Sequence, residues 1–523
     1  MHPYRSTVHP IEGNQRRCRV RAQGYALTGL LLVTSLACSS GGETPTPSAA
    51  GGRDSEAVSG SGGTFTGGAT ATGGSAAAGA RTGGAGGAGA ATGGVGAATG
   101  GTTGGSASGG RAGAGGAGGK SATGGVSATG GADGSGGGAG AGVAGSGGAG
   151  GSPATAACDA AAAVANMRLG WNLGNSLDAV DPTESDTSVE TAWGNPVITP
   201  ELLSAVASSG FGAVRIPVSW IGRFGAGPDY SIRATFIERV EEVVKYALDE
   251  GLYTIINLHH DGAEGVSGQW ISLVNGSGQV TAANTAAVRA QFVAIWAQVA
   301  EHFKDYGEHL IFESMNEIKV GYDAPLESYL DQVNELNQAF VDTVRAGGGY
   351  NAARCLVVPG YNTNIDHTVA GFRKPTDTAP GRLILSAHYY DPWSFAGEGA
   401  THAWGAGSPG ADTWGQEDWV RAQVAKLEST FIDQGLPMIW GEYGAVHQAG
   451  YENYNRYYLE YVTKAVHDAG IAPFLWDNGS TGSGAEAFGL FDRSNNTVLR
   501  PAVLEALVRA VSSPYELSDV AGP

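Results

Sequence analysis

Two glutamates stand at the ends of two apolar runs, His309-Leu-Ile-Phe-Glu-Ser-Met-Asn316-Glu317 and Pro437-Met-Ile-Trp-Gly-Glu442-Tyr-Gly444. Each run is short and continuous and reads as a fully buried strand followed by a Gly-bearing loop. A carboxylate placed where such a strand leaves the core is costly unless something uses it. Either glutamate alone could serve as a buried ion-pair partner. Two of them, on separate strands of one domain, are what cleavage of a glycosidic bond requires: one acid to protonate the leaving oxygen, one carboxylate to attack or assist.

The elements that must position them can be read from Arg168 onward. Apolar runs at 169–173, 213–218, 253–259, 310–314, 356–359, 383–387, 438–440 and 471–476 alternate with stretches whose apolar residues recur at helical spacing, at 236–248, 288–303, 330–344, 420–431 and 454–466. Gly251, Gly435 and Gly470 each sit between a helical stretch and the next run, where a helix C-cap belongs. Eight strand–helix units predict an α/β fold of the (β/α)8 TIM-barrel type; a doubly wound sheet would need a Gly-rich phosphate turn that this sequence lacks. In such a barrel the site lies at the C-terminal strand ends. Polar and aromatic residues collect there on strand after strand: Asn172 and Asn175, Arg215 and Trp220, His259 with His260 and Asp261, Asn316 and Glu317, Tyr361 and Asn362, His388 and Tyr390, Glu442, and Trp476 with Asp477 and Asn478.

These residues resemble glycoside hydrolase family 5, and within it the endoglucanases of subfamily 4. The resemblance is carried by Gly170-Trp-Asn-Leu-Gly-Asn-Ser-Leu-Asp178, Glu190-Thr-Ala-Trp-Gly-Asn-Pro196, Val214-Arg-Ile-Pro-Val-Ser-Trp220, Ile255-Ile-Asn-Leu-His-His-Asp261, Ile311-Phe-Glu-Ser-Met-Asn-Glu317, Gly441-Glu-Tyr-Gly-Ala445 and Trp476-Asp-Asn-Gly479, in order along nearly the whole domain. It implies a retaining endo-β-1,4-glucanase acting on cellulose, mixed-linkage glucan or xyloglucan. Glu317 would be the acid/base and Glu442 the nucleophile. Asn316 would hold the sugar 2-hydroxyl, Arg215 would keep Glu442 ionised, Tyr390 would hydrogen-bond it, His388 would lie near the acid/base, and Trp476 would be the platform under the sugar at the cleavage point. The alternatives are a β-mannanase of the same fold and a non-catalytic glycan-binding surface lipoprotein, which would have no need of a paired acid and nucleophile.

By strand alternation only one of His259 and His260 can point into the barrel mouth, and the family pattern favours His259. No further His or Cys at ligand spacing accompanies them, so no metal and no cofactor is expected. Asn175 joins the expected substrate contacts. Among the loop aromatics Trp193, Trp220, Trp270, Tyr322, Trp393, Phe395, Trp404 and Trp414, the best candidates for stacking on pyranose rings are Trp193 and Trp393, whereas Trp296 and Trp440 read as packing.

Only part of the 523 residues belongs to the barrel. Residues 1–38 read as a signal peptide, with a basic region at Arg16, Arg17, Arg19 and Arg21, a short apolar core, and a lipobox-like end at Ser35-Leu-Ala-Cys38. Residues 39–157 are a low-complexity Gly/Ala/Ser/Thr linker with too little apolar surface to fold, and 158–523 the catalytic domain. A secreted or cell-surface protein is expected: an outer-membrane lipoprotein anchored at Cys38 and touching membrane only through that lipid, with ordinary signal cleavage that leaves Cys38 lost or unmodified as the alternative. Cys158 and Cys355 both fall at the N-terminal side of the barrel, where a disulfide is one of two alternatives. The net charge of −19 argues against nucleic acid as a partner and leaves a neutral β-glucan unpenalised; the protein is expected to act as a monomer.

Overall fold

The computed structural model describes residues 157–523. The expected signal peptide and, but for Ala157, the linker lie outside the described residues.

Eight parallel strands close into a barrel: β1 (Gly170–Leu173), β2 (Ala213–Ile216), β3 (Tyr253–Asn257), β4 (Leu310–Glu313), β5 (Leu356–Pro359), β6 (Leu383–Tyr389), β7 (Met438–Tyr443) and β8 (Ala472–Asp477). Each pairs with the next, and β8 returns to β1 through Trp476 against Asn172. The helices are α1 (Ala160–Met167), α2 (Pro200–Ser208), α3 (Ala234–Asp249), α4 (Ala282–His302), α5 (Glu327–Ala346), α6 (Ile365–Gly371), α7 (Trp393–Ala396), α8 (Glu417–Thr430), α9 (Glu452–Asp468) and α10 (Pro501–Ser512). Gly251, Gly435 and Gly470 have left-handed φ of 77°, 75° and 75°, as helix-ending glycines require. No helix among the described residues is long and apolar enough to cross a membrane.

Two cores follow from strand alternation. Outward residues such as Ile216, Ile256, Phe312, Val358 and Leu385 pack under the helices. Inward residues Ala213, Ile255, Ile311, Val357, Ile384, Ile439 and Phe474 fill the lower barrel together with Ala160, Ala163, Val164 and Met167 of α1, which plugs the N-terminal mouth. Gly170 has no side chain because Phe474 occupies that space: a Cβ there would lie 2.2 Å from its ring. Cys158 and Cys355 are disulfide-bonded, tying the segment ahead of α1 to the residue that precedes β5 across 197 positions of sequence. In the chain-entropy view a loop of that size is worth up to about 5 kcal/mol.

Candidate active site

The barrel interior changes character within one two-residue step. Above Ile255 comes Asn257, above Ile311 comes Glu313, above Ala213 comes Arg215, and Asn172 lies beside Arg215 in register. All four polar residues are fully buried or nearly so. Arg215 organises the layer. Its Nε donates to Glu313 Oε2 at 2.7 Å, Nη1 to Asn172 Oδ1 at 3.0 Å and Glu442 Oε1 at 2.8 Å, and Nη2 to Asn316 Oδ1 at 2.7 Å. Burial alone would lower the guanidinium pKa, but the carboxylates of Glu313 and Glu442 outweigh it and drive it upward, so Arg215 is always charged.

Glu442 reaches this layer through an irregularity in β7. Ile439 faces the lumen, yet Trp440 and Tyr443 both pack in the outer core, so Gly441 and Glu442 share the inner side. The pairing register shifts there against β8, and on the other edge against β6 between Ala387 and His388. A bulge of this kind re-aims a side chain without breaking the barrel. Gly441 is required: a Cβ would lie 2.6 Å from Ser386 Oγ and 3.1 Å from His388 Nε2. Tyr390 donates its hydroxyl to Glu442 Oε2 at 3.0 Å. Burial, then the charges of Glu442 and Glu317, hold that phenol well above its ordinary pKa, so it remains a donor.

Glu317 lies four residues beyond the end of β4 and faces the same space. One of its carboxylate oxygens, one of Glu442 and a ring nitrogen of His388 all lie within 4.8 Å of one another. His388 Nδ1 is 2.8 Å from Glu317 Oε1 and Lys319 Nζ is 3.9 Å from Oε2. Burial would raise the Glu317 carboxyl, but the hydrogen bond and charge of His388, helped by Lys319 and Arg215, outweigh it and bring it well below the usual carboxylate range.

The walls are aromatic. Trp476 stacks parallel to His259, 5.9 Å between ring centres, and His259 Nε2 is 4.0 Å from Glu442 Oε1. Burial, then His260, Arg215 and His388, push the His259 imidazole well below its usual pKa, so it is neutral. Trp193, 40% exposed, leans on His260, and Trp393, 48% exposed, sits edge-on to Tyr390.

The sequence matches the family "Cellulase (glycosyl hydrolase family 5)" over residues 178–482. It is 42% identical over 372 residues to endoglucanase A of Paenibacillus barcinonensis, covering 67% of this chain and 90% of that one. Among solved structures, it resembles a subfamily 4 broad specificity endoglucanase of family 5 from Bacteroides salanitronis, at 43% identity and a TM-score of 0.63, covering 67% of this chain and 94% of the other. A family 5 xyloglucanase from Paenibacillus pabuli, solved with a ligand, aligns at 42% identity and a TM-score of 0.62, over 67% and 99% of the two chains. The chain belongs to glycosyl hydrolase family 5.

Several expectations for this family 5 barrel need correction. His259 and His260 are not sent to opposite faces: β3 ends at Asn257, the chain turns, and their rings pack edge to face with centres 4.6 Å apart. Asn175 contributes through its backbone, in a left-handed turn where its N–H donates to Asp178 and its carbonyl accepts from Asn195. Trp220, Trp404 and Phe395 are buried anchors, not sugar platforms; the two indoles donate to the carbonyls of Asn257 and Gly415. Trp296 and Trp440 are buried, as packing residues should be. Asp178 approaches His259 and His260 closely enough for a cation, but both its oxygens already accept backbone N–H groups from Asn175 and Ser176. Asp261 is turned to Trp220 and Trp270 instead.

Sequence reasoning missed Glu313 and Asn257. Alternation could have found both, since each lies two residues past an inward isoleucine, but inside a continuous buried run they look like part of the strand.

Proposed function

We propose that this family 5 enzyme hydrolyses internal β-1,4-glucosidic bonds of cellulose, mixed-linkage glucan or xyloglucan by double displacement, with Glu442 as nucleophile and Glu317 as acid/base. The observation that supports it most is the closeness of the two carboxylates, within 4.8 Å at their nearest ligand atoms. Retaining pairs stand at about 5–5.5 Å, whereas inverting pairs need roughly 6.5–9.5 Å to admit a water.

Environment argues for the roles. Glu442 is fixed by Arg215 and Tyr390 with its side chain 7% exposed, which suits an aimed nucleophile. Glu317 is 33% exposed, so it can exchange a proton with water, as a group that gives and retakes one each cycle must. In the first step Glu442 forms an ester to the anomeric carbon while Glu317 protonates the departing oxygen. In the second, Glu317 takes a proton from the water that breaks that ester. Asn316 contributes because Arg215 holds its Oδ1, leaving Nδ2 to donate to the 2-hydroxyl. Trp476 gives the sugar a flat apolar floor.

Glu442→Ala should form no covalent intermediate on any substrate, with added azide restoring turnover to an α-linked product. Glu317→Ala should still glycosylate on an activated aryl glycoside, with azide giving a β-linked product. The reversed pattern would exchange the roles, and inverted products from the native enzyme would end the retaining reading. Sugar release from carboxymethylcellulose and xyloglucan but not mannan is expected.

The same reading places the enzyme at the cell surface, supported by the signal-like residues 1–38 and the small residue ahead of Cys38. Lipidation of Cys38 would anchor it, and Cys38→Ser should move it to the soluble fraction. A native protein already soluble after export would remove this part of the proposal.

A further inference from the structure

We propose that Glu313, a carboxylate too deep to meet the sugar, is a positioning residue that sets the charge and orientation of the groups around Glu442. The inference rests on the reading of Glu442 as nucleophile.

Glu313 is fully buried at the end of β4, and its Oε2 receives Arg215 Nε at 2.7 Å and Asn257 Nδ2 at 2.9 Å. The first bond makes one cation serve two carboxylates. Arg215 is gripped at Nε from below, which turns Nη1 to Glu442 and Nη2 to Asn316. Without the charge of Glu313, the full field of the guanidinium would fall on Glu442, stabilising its anion and blunting it as a nucleophile.

The second bond begins a relay. Asn257 Oδ1 accepts the Val218 N–H at 3.1 Å, which fixes the amide orientation, so Nδ2 supplies one hydrogen to Glu313 and the other to His259 Nδ1 at 3.2 Å. His259 Nδ1 is therefore an acceptor and the ring's proton sits on Nε2, the atom 4.0 Å from Glu442 Oε1. The neutral state of His259 agrees with this tautomer. A third observation concerns depth: Glu313 Oε1 is buried and no protein group among the described residues hydrogen-bonds it. An apolar residue here would leave the buried Arg215 short of a partner, so the carboxylate and the guanidinium are retained as a pair.

The titratable and charged groups facing Glu442 are Arg215 from β2, His259 after β3, Glu317 after β4, and His388 and Tyr390 at the end of β6; Glu313 acts on it through Arg215. The test is the pH profile of kcat/KM on an aryl cellobioside. Glu313→Gln keeps shape and removes one negative charge, so both limbs should move to lower pH, by about one unit. The optimum rate should fall roughly tenfold or more. Glu313→Asp keeps the charge, so its limbs should stay in place while the rate falls. A folded Glu313→Gln enzyme with unmoved limbs, or a Glu313→Asp enzyme shifted as far, overturns the proposal, since a merely structural role lowers the folded fraction without moving limbs. Should Glu313→Gln not fold, nitrogen NMR of the native enzyme decides: Nε2-protonated, neutral His259 across the active pH range is expected, and an Nδ1-protonated ring overturns it. Labelling the native enzyme with a 2-fluoro-cellobioside keeps the two readings apart, because a label off Glu442 faults the nucleophile assignment and leaves the limb shifts to judge Glu313 alone.

Discussion

The hydrogen bond between His388 Nδ1 and Glu317 works against proton donation, because it stabilises the carboxylate form of the residue assigned to give the proton. The acid must nevertheless be protonated when the glycosidic oxygen arrives, so this bond sets the pH above which the enzyme fails. Replacing His388 by Ala removes the donor, and the Glu317 carboxyl should then hold its proton to higher pH. The expected outcome is a basic limb of kcat/KM moved upward by roughly one pH unit, alongside a lower maximum. A limb that moves down would mean that the bond favours the acid form. Lys319, which approaches the same carboxylate from the other oxygen, would remain and limit the shift.

At the scale of elements, the bulge in β7 is the device that brings the second carboxylate into the mouth. Gly441→Ala would place a methyl carbon against Ser386 Oγ and His388 Nε2, so the strand must straighten or His388 must move. Activity should drop about a hundredfold, alongside the fall in thermal midpoint that overpacking by about 1–3 kcal/mol brings, measured by kcat and calorimetry. Adding Ser386→Ala should recover part of the loss. The bulge also shows where sequence and structure part company. The eight strands were readable because a strand buried on both faces is a continuous apolar run, and 356–359 was read with its observed bounds. The run at 438–440 was read too short because Gly441 and Glu442 end the apolar pattern, although the backbone stays paired to Tyr443. The run at 253–259 was read too long, since nothing in Leu258 and His259 announces that pairing stops at Asn257. The tryptophans failed for a different reason. A loop indole that donates inward and one that faces water look alike until the loop's path is known, as Trp404 and Trp393 demonstrate.

At the largest scale, the described barrel is polarised along its axis. Apolar residues and α1 fill one end; charged and aromatic residues fill the other. Changes at the base should therefore be felt in stability and not in turnover. Cys158→Ser with Cys355→Ser should cost up to about 5 kcal/mol in urea unfolding while kcat at 25 °C is preserved. A matching loss of kcat in the folded double variant would show that base and mouth are coupled. The disulfide has a mechanical meaning as well. A pull on the chain ahead of Ala157 meets Cys158 one residue later, and from there the load crosses a covalent bond to the foot of β5. Helix α1, β1 and Arg215 lie within the loop that this bond closes, so tension passing through the bond would bypass them. A load applied there would enter the barrel at its base, at the end opposite Glu317 and Glu442.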